Sequence, residues 1–197
     1  MRDVDPARVK WERIDRQRVY SGRVVDVARD TIRITTGAGT RQTVFDIVRH
    51  PGAAAIVPLF DDDTVALICQ FRYAVGERIW EIPAGSLGDG ESFEACAERE
   101  LEEEVGYRAQ SWTPLAAFYT TPGFCDEELR VFLAQGLIAS TTDHEDDEDI
   151  DVKRIPLQRA LEWATSGRIR DAKSMLGLWA ARDYLQTVDR WPPNRGA

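Results

Sequence analysis

Residues 85–107, GSLGDGESFEACAERELEEEVGY, hold eight acids and a single arginine, Arg99. A charge run of this kind ordinarily marks a solvated helical face, but its register argues for something else. Phe93, Cys96, Ala97 and Leu101 recur at i, i+3, i+4 and i+8, the spacing of a helix laid on a core, and Ser92 is placed to cap it. A helix is therefore predicted over residues 93–105. At about 100° per residue, Glu100 and Glu104 fall within the angular spread of Phe93 and Ala97, Glu103 lies near the edge, and Glu98 and Glu102 face away. Glu100 and Glu104 are a like-charged i, i+4 pair, which costs roughly 0.2–0.5 kcal/mol on an exposed helix. The cost grows far larger if the pair is desolvated without compensation. A hard divalent cation such as Mg²⁺ or Mn²⁺ removes that penalty and suits oxygen donors, and no Cys/His cluster argues for zinc. Arg99 can bridge to Glu103 one turn on. A helix rotated so that both acids reach solvent is the competing arrangement.

These residues resemble the Nudix box, GX5EX7REUXEEXGU, in which U is a bulky apolar residue. Gly85 takes the first position, Glu91 the next fixed acid, Arg99, Glu100 and Leu101 the REU, Glu103 and Glu104 the EE, and Gly106 the last glycine. Tyr107 stands at the final U, aromatic where the pattern is usually aliphatic. The resemblance implies hydrolysis of a nucleoside diphosphate linked to another group, with Mg²⁺ as cofactor and Mn²⁺ as its alternative. It implies Glu100 and Glu104 as principal metal ligands, Glu103 assisting, and the backbone carbonyl of Ala84 as a further ligand. Arg99 and Glu103 then belong to the catalytic machinery, with Glu91 orienting Arg99 or the loop. The physical reason agrees with the register argument. An acidic site holds an anionic diphosphate only through metals, which neutralise phosphate oxygens and lower the pKa of an attacking water.

The box sets the chemistry and the neighbouring loops set the substrate. In YTTPGFCDE, residues 119–127, Pro122 lies 15 residues beyond the last position of the box. That spacing, the PGF context and FRYAVGERIWEIPAG ahead of the box resemble the ADP-ribose pyrophosphatase subgroup. The resemblance implies cleavage of ADP-ribose to AMP and ribose 5-phosphate, with Glu127 contacting the nucleoside or ribose and Arg72 a phosphate or ribose. A planar guanidinium suits phosphate oxygens, although an exposed strand arginine is an equally ordinary reading. Pro122-Gly123 also fits a plain tight turn, and Trp80 reads better as core than as a base-stacking platform. The acidic string STTDHEDDEDIDV would by itself read as a solvated loop. In the resembled subgroup a mobile loop here delivers a general base, for which Glu148 is the first choice, Glu145 the second and His144 the third. Lys173, near a helix start, is either solvent-facing or a phosphate or sugar contact. The latter favours the alternative of a GDP-mannose or broader nucleoside-diphosphate-sugar hydrolase. A reading of another class is a non-catalytic nucleotide-sensing Nudix domain; the intact box and the absence of an appended helix-turn-helix argue against it.

Positioning such a platform requires a core, and 197 residues at 43% hydrophobic content supply enough for one. The stretch SGRVVDVARDTIRITTGAGTRQTVFDIVRH reads as two or three strands around TGAG. AAAIVPLF and TVALICQFRY flank DDD and read as a hairpin whose apolar runs imply a sheet covered on both faces. A short strand over 80–83 enters the box, TPLAAFYTT and RVFLAQGL supply further strands, and a helix begins near Leu157. A second helix follows in AKSMLGLWAARDYLQTV, where Met175, Leu178, Trp179, Arg182 and Leu185 share a face whose apolar members are expected in the core. The fold class is α/β (α+β): the α/β/α sandwich with a mixed β-sheet that the family implies, preceded by an N-terminal antiparallel strand region. The expected divisions are 1–50 as a strand region that dimerises, with strand exchange over 19–36, then 51–190 as the Nudix domain and 191–197 as a tail. The net charge of −9 argues against nucleic acid and anionic membrane surfaces as partners. No apolar run approaches the roughly 20 residues of a membrane span, and the N-terminus lacks a signal-peptide core. Cys69, Cys96 and Cys125 show no CxxC spacing and read as reduced thiols of a cytoplasmic protein. The expected partners are a small nucleoside diphosphate derivative and a second copy of the chain.

Overall fold

A computed structural model of the chain describes residues 9–142 and 149–191. Two compact units are distinguished: residues up to Gly52 together with Tyr119–Glu128, and Ala53–Phe118 together with residues from Leu129 onward.

In the first unit, β1 (Lys10–Ser21), β2 (Asp26–Thr36) and β3 (Gly39–Arg49) form an antiparallel sheet in that order. The turn between β2 and β3 falls at TGAG, where Thr36 pairs with Gly39. The strand β1 lies within the expected 1–50 strand region but ahead of the stretch, beginning at SGRVV, that was read as individual strands. Its sequence, KWERIDRQRVYS, is exposed at every position, so it has no buried face for an alternation pattern to reveal. Register against β2 and one buried acid hold it in place. Arg16 donates from Nε and Nη2 to the two oxygens of Asp30 at 2.8 and 2.7 Å, and Arg49 adds a 3.2 Å bond. The Arg16 hydrogen bond outweighs burial and holds the Asp30 carboxyl below its ordinary range. Residues 119–128 fold back on the same unit. Phe124 and Cys125 donate backbone N–H to the Thr121 carbonyl, and Val48 donates to the Phe124 carbonyl at 2.7 Å.

The second unit has two sheets. One contains β4 (Ala53–Pro58), β7 (Ala84–Ser86), β8 (Tyr107–Tyr119) and β9 (Glu128–Ala139) in the order β7-β4-β9-β8, with β4 parallel to β9 and antiparallel to β7. The other is antiparallel, β10-β5-β6, built from β5 (Thr64–Arg72), β6 (Glu77–Glu81) and β10 (Ile150–Pro156). The helices are α1 (Phe93–Glu100), α2 (Leu157–Ser166) and α3 (Ala172–Thr187). Ala55, Val57, Leu67, Val131 and Leu133 pack with α2 and α3, while Ala54, Ile56, Ala66, Ile68 and Phe132 pack with Cys96, Ala97 and Leu101 of the α1 segment. Alternate residues of the same strands thus serve opposite helical layers, which is the expected sandwich.

Two local expectations are corrected. β4 and β5 flank the DDD turn but do not form a hairpin: each belongs to a different sheet, and only Leu59 and Val65 bridge them. A strand buried on both faces needs neighbours along both edges, and each of these two finds them elsewhere. On α3 the buried face is Ser174, Gly177, Leu178, Ala181 and Leu185, whereas Trp179 is exposed. The face was predicted from its large apolar residues, but the helix approaches the sheet through its small ones. A Cβ on Gly177 would lie 2.8 Å from Ile82 Cδ1 and 3.1 Å from Val131 Cγ1. Gly177→Val is therefore expected to destabilise the protein by about 1–3 kcal/mol through overpacking. A urea midpoint equal to that of the wild type would show that α3 does not press on the sheet there.

Candidate active site

The predicted 93–105 helix forms in two parts. Ser92 caps α1 by accepting from the Ala95 N–H at 3.1 Å, and the chain continues as a π-helical turn, Leu101–Val105, that ends at Gly106 with φ 76°. The turn is closed by that left-handed residue, which favours glycine. Glu100 and Glu104 are only 8% and 2% exposed, so the arrangement that turns both acids to solvent is not the one adopted. Glu102 points away to Arg108 and Ser140.

Each buried acid is held by a specific absence or a specific donor. Glu100 fills the space a side chain at position 85 would need, since a Cβ on Gly85 would lie 1.7 Å from its Oε1. Glu104 Oε2 accepts the backbone N–H of Ala84 at 2.8 Å. Arg99 fastens three acids together. Its Nε and Nη2 meet Glu91 at 2.9 and 3.0 Å, and its Nη1 donates to Glu100 at 2.6 Å and to Glu103 at 2.9 Å. Glu91 also accepts from the Gly88 N–H at 2.8 Å, and the Arg99 hydrogen bond holds its carboxyl below the usual range. The predicted Arg99–Glu103 bridge and the orienting contact of Glu91 are both present. Four carboxylates against one guanidinium leave the cluster strongly anionic. Among the described residues no three His, Cys, Asp or Glu side chains are gathered closely enough to hold an ion by themselves. Glu100 and Glu104 are hard oxygen donors that fit a hard divalent cation when backbone or water oxygens complete the set.

Cys96 lies beneath this cluster, fully buried, with Sγ 3.4 Å from the Gly85 carbonyl and 3.6 Å from that of Ser86. Burial, aided by Glu100, pushes its thiol up to about 12. Buried against two backbone carbonyls, it serves as a protonated packing group.

Arg72 and Lys173 are brought together by a residue the sequence reading did not single out. Glu81, 1% exposed, accepts Arg72 Nε at 2.7 Å, Arg72 Nη2 at 2.9 Å and the Lys173 ammonium. An acid inside the otherwise apolar IWEIP was the available signal. Lys173 also meets Asp171 at 3.1 Å, so it is not the solvent-facing lysine that was the alternative. Trp80 packs on Trp163 with ring centroids 5.4 Å apart, as core. Glu127 belongs to the first unit, where it accepts Thr120 Oγ1 at 2.6 Å and lies 3.7 Å from His50 Nδ1. That unit also contains a cavity of about 330 Å³ lined by Trp11, Phe45, Arg49, Pro122, Phe124 and Asp126. Glu148, Glu145 and His144 lie outside the described residues.

Residues 49–176 match the model of the NUDIX domain, well over half of the chain. The chain is 38% identical over 175 residues to an ADP-ribose pyrophosphatase of Bacillus subtilis, covering 88% of this chain and 91% of that protein. It is 35% identical over 145 residues to a GDP-mannose pyrophosphatase of Cronobacter sakazakii, covering 69% of this chain and 74% of that one. Among solved structures it resembles an ADP compounds hydrolase with a TM-score of 0.78 at 22% identity, over 92% of this chain and 97% of the other, a likeness of fold alone.

The contact between Gly85 and Glu100 generates a test. Gly85→Ala should fold, because only the end of one side chain stands in the way, yet it must displace Glu100. Affinity for Mn²⁺, followed by electron paramagnetic resonance, is expected to fall about ten- to hundredfold. Unchanged affinity would remove Glu100 from the ligand set.

Proposed function

The chain belongs to the NUDIX family of hydrolases, and from that premise we propose that it is a Mg²⁺-dependent pyrophosphatase converting ADP-ribose and water to AMP and ribose 5-phosphate. The observation that carries this reading is the buried Glu100–Glu104 pair, which Gly85 and the Ala84 N–H hold on the interior side of the box. Identity of 38% to an ADP-ribose pyrophosphatase across most of both chains supports the choice of substrate.

In this proposal Glu100, Glu104 and the carbonyl of Ala84 hold the cation, with Glu103 assisting. When bound, Mg²⁺ (or Mn²⁺) neutralises diphosphate oxygens and acidifies an attacking water. The chain's own residues do the rest. Arg99 keeps Glu103 and Glu100 in one orientation through its bonds to both. Arg72 binds a phosphate oxygen through the guanidinium edge that Glu81 leaves open. Glu148, with Glu145 as second choice, takes the proton of the water as its oxygen bonds to phosphorus and the bridging oxygen leaves with its electron pair. Glu127 contacts the nucleoside or ribose.

A second reading, hydrolysis of GDP-mannose or another nucleoside diphosphate sugar, keeps this chemistry. It draws on Lys173 beside Arg72 and on the GDP-mannose pyrophosphatase relative. We further infer a homodimer formed through the N-terminal region. Trp11, Ile14, Val19, Tyr20 and Val44 are exposed on its sheet, and the edge strand β1 with its exposed apolar side chains invites a second copy. Free thiols at Cys69, Cys96 and Cys125 suit a reducing compartment, the cytoplasm.

The test is product analysis with Mg²⁺ and a panel of ADP-ribose, GDP-mannose, ADP-glucose and NADH. The highest kcat/KM is expected for ADP-ribose, with AMP and ribose 5-phosphate as products. A preference for a sugar nucleotide would select the second reading, and no cleavage of any member would overturn both. Glu104→Gln keeps shape while removing a charge, so turnover should fall by about two orders of magnitude or more with the fold retained. Unchanged turnover at saturating Mg²⁺ would exclude Glu104 from the metal site.

A further inference from the structure

Glu81 is a buried acid that the chemistry above does not use. Pleating turns Trp80 and Ile82 toward the core shared with α2 and α3, so Glu81 between them points to the opposite face of β6. In the β5–β6 pairing Ile68 stands opposite Glu81, and Gln70 and Arg72 follow on the same face. Arg72 reaches back along this face and spends Nε and Nη2 on both oxygens of Glu81. Its Nη1 has no acceptor among the described residues, and the side chain is 40% exposed. Lys173 arrives from the first turn of α3 and closes on Glu81 Oε2. It is also bonded to Asp171, whose Oδ2 is committed to the Ser174 N–H as the cap of that helix. The negative charge of Glu104 is near enough to act on Arg72.

We propose that Glu81 is a positioning residue whose carboxylate holds Arg72 and Lys173 as one clasp and turns the outer edge of Arg72 toward the diphosphate of the substrate. The proposal rests on the diphosphate hydrolase reading. Glu81 takes one edge of Arg72 and Asp171 balances Lys173, so the group is neutral as a whole and what it offers an anionic ligand is the oriented donor edge of Arg72. Burying Glu81 is a poor device for stability alone, since desolvating a carboxylate costs about as much as its pairing returns. It is a good device for preorganisation, because two long, rotamer-rich side chains are fixed before the substrate arrives.

The experiment measures kcat and KM for ADP-ribose in the wild type, Glu81→Gln, Arg72→Ala and the double variant. Glu81→Gln is expected to raise KM about ten- to hundredfold, the loss of an oriented charge-assisted contact, with a far smaller change in kcat. The double variant is expected to match Arg72→Ala within about threefold, because Glu81 acts through Arg72. A residue that only supports the fold would cost as much in the Arg72→Ala background as in the wild type, and that result overturns the proposal, as does an unchanged KM. Glu81→Asp keeps the charge but withdraws it by one methylene. If Glu81→Gln fails to fold, a raised KM in Glu81→Asp sustains the clasp and a wild-type KM overturns it. Wild-type turnover with an unaffected Glu81→Gln removes the clasp and leaves the hydrolase reading standing. A wild type that cleaves no nucleoside diphosphate removes both.

Discussion

A carboxylate taken out of water needs a donor or a counter-charge, and most of the active-site architecture follows from meeting that demand for acids crowded on one short helical segment. Glu100 and Glu104 are buried where a globular helix would place leucines. Their neighbours are constrained accordingly. Position 85 must lack a side chain, Ala84 must aim its N–H inward, and Arg99 must lie flat across Glu91, Glu100 and Glu103. Strand β7 is three residues long, yet two of them, Ala84 and Gly85, act on these acids while pairing with Ala55 and Ala54. The acids are thereby tied to the floor of the sheet and not to a mobile loop.

The sheets make this possible by being apolar on both sides. Alanines at 53, 54 and 55 let backbone and helices approach closely, and the α3 face built on Ser174, Gly177 and Ala181 does the same on the far side. Ser174 Oγ accepts the Ile82 N–H at 2.8 Å, which ties α3 to the strand that leads into the box. Close packing behind the strand fixes the height at which Glu81, Ala84 and Gly85 present their groups. The small residues of the core are thus part of how the polar groups are aimed.

The residues differ in how legible they were. The burial of Glu100 and Glu104 could be read because helical register is local and the apolar positions around them are unambiguous. The π-helical turn over Leu101–Val105 could not, since its sequence is equally good α-helix and only tertiary packing selects the wider turn. The hairpin expected of β4 and β5 failed because strand partners are chosen across the whole chain, and apolar runs say only that a strand is buried. Strand β1 escaped notice because its partners are hydrogen bonds and the Arg16–Asp30 pair, not an apolar face. Glu81 was visible as an odd acid in IWEIP, but its meaning depends on Lys173, 92 residues away in the chain. The box pattern covers the chemistry of its own segment and carries no information on what stands behind it.

The thiol of Cys96 has a bearing on where such a protein can work. Peroxides and electrophiles react with thiolates, and a sulfur held protonated up to about 12 presents almost none at neutral pH. Its hydrogen is directed at the carbonyls of Gly85 and Ser86, and no solvent reaches it. The acidic cluster therefore sits on a sulfur that is shielded from solvent and held as the thiol.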